Sequence, residues 1–139
     1  MSVETRKIQF RTEGDADVVD ITQQVADAVR DTGLESGTAT IFSPSATSAL
    51  TTIEFEPGAV SDLRRLFDEV ADPQRHYAHN ARWGDGNGHS HVRAALLGPS
   101  LTVPVVQRQL TLGTWQQIVF VDFDNRPRRR ELVVQVIGD

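Results

Sequence analysis

The spacing of apolar residues changes several times along the chain, and each change predicts an element. RKIQFR (6–11) reads as a first strand. In DITQQVADAVRDTG (20–33), Ile21, Val25, Ala28 and Val29 share one face at helical spacing. Asp20 supplies the cap, Gln23 stands at the capping-box position and Gly33 supplies the stop. GTATIFS (37–43) and SALTTIEF (48–55) are rich in β-branched residues and predict two strands, separated by Pro44. A second helix is expected over 58–71, with a buried stripe of Val60, Leu63, Leu66, Phe67 and Val70 and an end at Pro73. From 74 to 90 the apolar period disappears, which predicts a long loop. HVRAALLG then has the pattern of a short helix, capped by Ser90 and ended by Gly98 and Pro99.

The last third reads as β. SLTVPVV places Leu101, Val103 and Val105 on one face, with Pro104 restricting it to an edge or bulge. QLTLGTWQQIVFVDFD is too long to stay flat, and its apolar phase shifts after Gly113, predicting a bulge there. DNRP makes a turn and RRELVVQVIG returns as the final strand. The sum is α+β: a compact, mostly antiparallel β-sandwich of about six or seven strands, with two longer helices and one short helix packed outside. A chain of 139 residues forms one such domain, spanning 1–139.

Charge and composition narrow the function. The net charge of -5 argues against a nucleic-acid partner, which calls for a basic footprint. No segment reaches membrane-spanning length and the N-terminus lacks a signal-like apolar run, so a cytoplasmic protein without a membrane partner is expected. The absence of cysteine removes disulfides and thiolate metal ligands. One basic cluster, NRPRRRE with Arg126, Arg128, Arg129 and Arg130, reads either as a solvated turn or as a phosphate pocket.

All four histidines lie between His76 and His91. In an extended segment His89 and His91 would point the same way, and His76 and His79 are close enough to converge. Three imidazoles with one open position form a known catalytic zinc arrangement; the alternative is a set of hydrogen-bonded loop histidines. Gly84, Gly86 and Gly88 precede a helix N-terminus, whose free N–H groups can hold an anion, with Arg93 adding charge. Glu54 and Glu56 fall on one side of a strand and read as an acid–base pair or as solvated strand-end carboxylates. Trp115, just after the expected bulge, reads as core or as a side chain aimed into a site.

The order and spacing of YAHN, SHVRAALLG, GTWQQ and RRRE resemble the YjbQ-like family, an uncharacterised family also labelled secondary thiamine-phosphate synthase enzyme. The similarity runs from the first strand to the last. It implies a homotrimer with active sites near subunit boundaries. It also implies a transferase activity, of secondary standing, in which a thiazole phosphate nitrogen displaces diphosphate from an aminopyrimidine methyl diphosphate. The family's Tyr-x-His pair falls on Tyr77 and His79, its Ser-His pair on Ser90 and His91, and its acidic residue on Glu54. Where typical members carry the histidine of a His-Thr-Thr segment, this chain has Ser45.

The expected catalytic groups are therefore His79, His91 and Glu54. Asn80, Asp85, Gly86, Asn87, Gly88, Ser90, Arg93, Trp115 and Ser45 are expected to shape a pocket for a small phosphorylated molecule. A divalent ion, zinc or magnesium, would rest on His79 and His91, with His89 or Glu54 in place of the missing histidine. A metal-dependent hydrolase and a non-catalytic small-molecule-binding trimer are the alternative functions.

Overall fold

The computed structural model describes all 139 residues. In chain order the elements are β1 (Ser2–Thr12), β2 (Asp17–Asp20), α1 (Thr22–Thr32), β3 (Ser36–Phe42), β4 (Ser48–Ile53) and α2 (Pro57–Val70). They continue with α3 (Ala78–Trp83), α4 (Gly88–Leu97), β5 (Ser100–Val106), β6 (Gln109–Leu110), β7 (Gln117–Asp122) and β8 (Arg128–Gly138). A five-stranded sheet runs β1-β8-β3-β5-β6 and a three-stranded sheet runs β2-β7-β4, with every pair antiparallel. The α+β sandwich expected from the pattern is the fold observed.

Strand alternation builds the main core. Leu132, Val134 and Val136 of β8, Ala39 and Ile41 of β3, and Val103 and Val105 of β5 face inward. They meet Leu50, Ile118 and Phe120 of the smaller sheet and Ile21, Val25 and Val29 at α1. The smaller sheet is covered on its other face too. There Ala49, Val119 and Val121 pack with Val60 and Phe67 of α2, Ala94 of α4 and Phe123. β7 is consequently buried along almost its whole length, which explains its unbroken apolar run.

Several local expectations change. DVVD forms the short strand β2, and the apolar-poor stretch 74–90 contains α3. The expected bulged strand is broken instead: residues 111–116 leave the sheet between β6 and β7. The stripe of α2 is narrower than its spacing suggests. Val60 and Phe67 are buried, whereas Leu66 and Val70 are about half exposed, because α2 lies on the sheet along one edge of the stripe. At the start of α1 the cap is Ile21; Asp20 instead accepts from the backbone N and hydroxyl of Thr22. No helix is long and apolar enough to cross a membrane.

Candidate functional site

The candidate site sits where α3 meets α4, at the end of the smaller sheet. Gly84, with φ of 66°, ends α3 in the left-handed region that favours glycine. The chain then turns through Asp85 and Gly86 into α4. Asn80 of α3 accepts the Gly88 backbone N–H at 2.8 Å and so closes the first turn of α4. The contact depends on a missing side chain: a Cβ at Gly88 would stand 2.6 Å from Tyr77 Cβ. This packing brings His79 of α3 against His91 of α4, with ring centroids 4.3 Å apart and planes inclined at 36°. His79 Nδ1 is 3.3 Å from Asp85 Oδ1, at ion-pair distance but without a hydrogen bond.

His91 opens onto a shallow cavity of about 260 Å³ shared with Ser45, Ala46 and Ser48 before and at the start of β4, and with Ala94, Ala95 and Pro99. Ser45 is oriented from behind. Its Oγ accepts from Arg130 Nη1 at 3.0 Å and from the Thr47 backbone N–H at 3.2 Å. With both acceptor positions used, its hydroxyl proton is left to donate.

Arg130 itself belongs to a buried ionic knot. Its Nε and Nη2 donate to the two oxygens of the fully buried Asp122 at 2.7 and 2.8 Å, and Nη2 also donates to Thr47 Oγ1. Thr47 in turn donates to Asp124, which Arg128 also holds. Burial would push the Asp124 carboxyl up, but the hydrogen bonds from Thr47 and Arg128 outweigh it and hold the carboxyl below the usual range. The sequence signal for this knot was VDFD, where two aspartates alternate within an apolar strand. The arginine run alone does not reveal it, because the aspartates that pair with Arg128 and Arg130 lie on the preceding strand and its end.

Several expected site residues have other work. His89 and His91 diverge, because residues two apart on a helix face different ways. His89 turns inward, tilted against Tyr77, with its Nδ1 unpartnered. Burial, seconded by the Arg93 charge, pushes its pKa down. His76 is exposed and takes no part in the pair. Glu54 lies beyond the far end of β4: Ser48 pairs with Asp122 but Ile53 with Gln117. At about 3.3 Å per residue, Glu54 stands roughly 20 Å from Ser48 and cannot complete a shell around His91. Glu56 is the N-cap of α2, accepting from Gly58 and Ala59.

Trp115 is exposed in the 111–116 connection, whose Gln116 reaches Thr52, and forms no wall of the histidine site. Arg93 is buried, donating to the Ala71 carbonyl and to Asp68, so it anchors the end of α2. The anion cradle expected at the start of α4 is filled from within. Asp85 accepts from Asn87 N–H, Asn80 from Gly88 N–H, and the Asn87 carbonyl from Ser90 N–H. The Asn87 side chain accepts from Asn125 N–H and the Ser90 hydroxyl; that hydroxyl also contacts the Phe123 carbonyl. Gly86 is exposed at the turn.

No group of three histidine, aspartate or glutamate side chains converges as metal ligands would. His79 and His91 are the two imidazoles that meet; His89 and Glu54 point elsewhere, and Ser45 stands in the cavity with His91. Within one chain the three-ligand arrangement does not fit.

Comparison with known proteins agrees with this architecture. The UPF0047 protein YjbQ-like family model matches residues 6–139. A UPF0047 protein of Methanothermobacter thermautotrophicus is 38% identical over 138 residues, covering 99% of this chain and 94% of that protein. UPF0047 protein YugU of Bacillus subtilis is 35% identical over 134 residues, covering 96% and 98%. Among solved structures, a YbjQ-like protein of unknown function from Sulfolobus solfataricus P2 superimposes with a TM-score of 0.94 at 33% identity, over 99% of each chain. The chain belongs to the UPF0047 YjbQ-like family.

Proposed function

We propose that the chain is a transferase whose reaction centre is the His79–His91 pair, acting on a small phosphorylated substrate. The single observation that carries this reading is the 4.3 Å approach of the two rings beside Asp85, at the mouth of a cavity with a directed serine donor. The reaction is the one the resemblance implies. The thiazole nitrogen lone pair forms the new C–N bond to the aminopyrimidine methylene carbon. The C–O bond to diphosphate breaks, and its electron pair leaves with the diphosphate. Charge accumulates on the departing oxygen, so a hydrogen-bond or proton donor there lowers the barrier. An imidazole of the pair and the Ser45 hydroxyl, held by Arg130, are the donors available. Under this reading the protein works as a cytoplasmic homotrimer.

The test is condensation of the two phosphorylated precursors, followed by formation of thiamine phosphate. His91→Ala is expected to lower the rate at least ~100-fold, the usual scale for a positioned acid or base. A variant rate equal to that of the native protein removes the transferase from this site.

A further inference from the structure

We infer a second ligand site, for a phosphate-bearing small molecule, in the slot that Arg11 and Arg129 form across β1 and β8. The site is independent of the histidine pair. Strand alternation divides the NRPRRRE arginines. Arg128 and Arg130 turn inward to the buried Asp124 and Asp122, while Arg129 turns out onto the uncovered face of the five-stranded sheet. The β1–β8 register places Arg11 directly opposite it. The ion pairs of this region go to Arg128, Arg130 and Lys7, leaving Arg11 and Arg129 with no acidic partner. Like charges directly opposed on an antiparallel pair repel. A chain of net charge -5 has acidic residues to spare, yet pairs none with these two arginines: the neighbouring Glu131 carboxylate goes to Lys7 and Gln9.

The surface between the two arginines is concave. A cavity of about 400 Å³ is lined by Gln9, Phe10, Arg11, Arg129, Arg130 and Glu131. The Phe10 ring packs against Phe120 and the Arg130 guanidinium is tied to Asp122, both on the inner side of the sheet. The floor of the slot is therefore their backbone, and the walls are two cross-strand pairs. Arg11 and Arg129 form one wall. Gln9 and Glu131, hydrogen-bonded at 2.7 Å, form the other, with Lys7 holding the second Glu131 oxygen. Two guanidinium forks a strand spacing apart suit the several oxygens of one phosphate or diphosphate. The Gln9–Glu131 wall offers an amide and a carboxylate to hydroxyl groups on the rest of the ligand.

Calorimetric titration of the full chain with inorganic pyrophosphate, at constant ionic strength, tests the site. Saturable binding of one equivalent per chain that depends on Arg11 and Arg129 is expected. The Arg11→Thr/Arg129→Thr variant, which places β-branched residues suited to strands at both positions, should bind at least tenfold more weakly. Arg11→Lys/Arg129→Lys should fall between the two, since an ammonium keeps the charge but lacks the fork. His91→Ala should keep that arginine-dependent equivalent, and any equivalent lost with His91 belongs to the histidine site. Absence of the arginine-dependent equivalent, its retention by the threonine variant, or its loss in His91→Ala would each overturn the assignment.

Discussion

His89 and His91 stand two residues apart, yet α4 sends one ring into the interior and the other to His79. The buried His89 ring has Nδ1 without a partner, and burial together with the Arg93 charge disfavours its protonation. Asp15, Asp68 and Asp124 oppose that shift more weakly. An unfolded chain takes up this proton near the ordinary value of about 6.5, whereas the folded chain resists it. Stability is therefore full above that value and falls as the pH drops below it. Urea unfolding is expected to show a lower midpoint at about pH 5.5 than at about pH 7.5, and His89→Leu should remove roughly half of that difference or more. An unchanged pH dependence in the variant would mean that other groups set it. The same pair of residues marks a limit of sequence reading. HSH invites convergence if the segment is extended, and only the helical start at Gly88 reverses that geometry.

Among the elements, α3 was the hardest to foresee and the most consequential. AHNARW has no apolar face, none of its residues is buried, and its helix is one and a half turns long, so periodicity carried no signal. α1 and α4 were visible because their apolar residues recur at helical spacing. The break at 111–116 was visible only as a phase shift, which a bulge or a departure from the sheet explains equally well. What holds α3 to α4 is the close approach at Gly88, where Tyr77 Cβ and the Asn80 side-chain Oδ1 occupy the space a side chain would need. Gly88→Ala is expected to cost about 1–3 kcal/mol, the usual range for overpacking. It should also lower condensation activity, because the shift needed to admit the methyl moves His79 away from His91. Denaturant unfolding and turnover measured on the same variant check both effects. A variant of native stability and native activity would show that the α3–α4 contact does not position the pair.

At the scale of the whole molecule, the two sheets share an apolar core and one buried ionic tie. The apolar alternation of β5 and β8 and the helical faces revealed the layers from sequence. The strand order did not follow, because β1 pairs with β8 and β3 lies between β8 and β5, contacts set by segments far apart in the chain. Arg130 crosses from the larger sheet to Asp122 of the smaller one, while Thr12 of β1 donates to the same carboxylate. Removing one partner of such a pair leaves the other charge uncompensated. Arg130→Ala should lower stability by about 3–5 kcal/mol, measured by denaturant unfolding. A loss below about 1 kcal/mol, typical of a surface pair, would contradict the tie. The proposed transferase depends on His79 and His91 acting as a unit. A double-mutant cycle of turnover in His79→Ala, His91→Ala and the combined variant measures this most directly. Each single substitution is predicted to cost at least ~100-fold and the double about as much as the worse single, as groups acting together do. Losses that multiply in the double variant, or single variants with native rates, would contradict it.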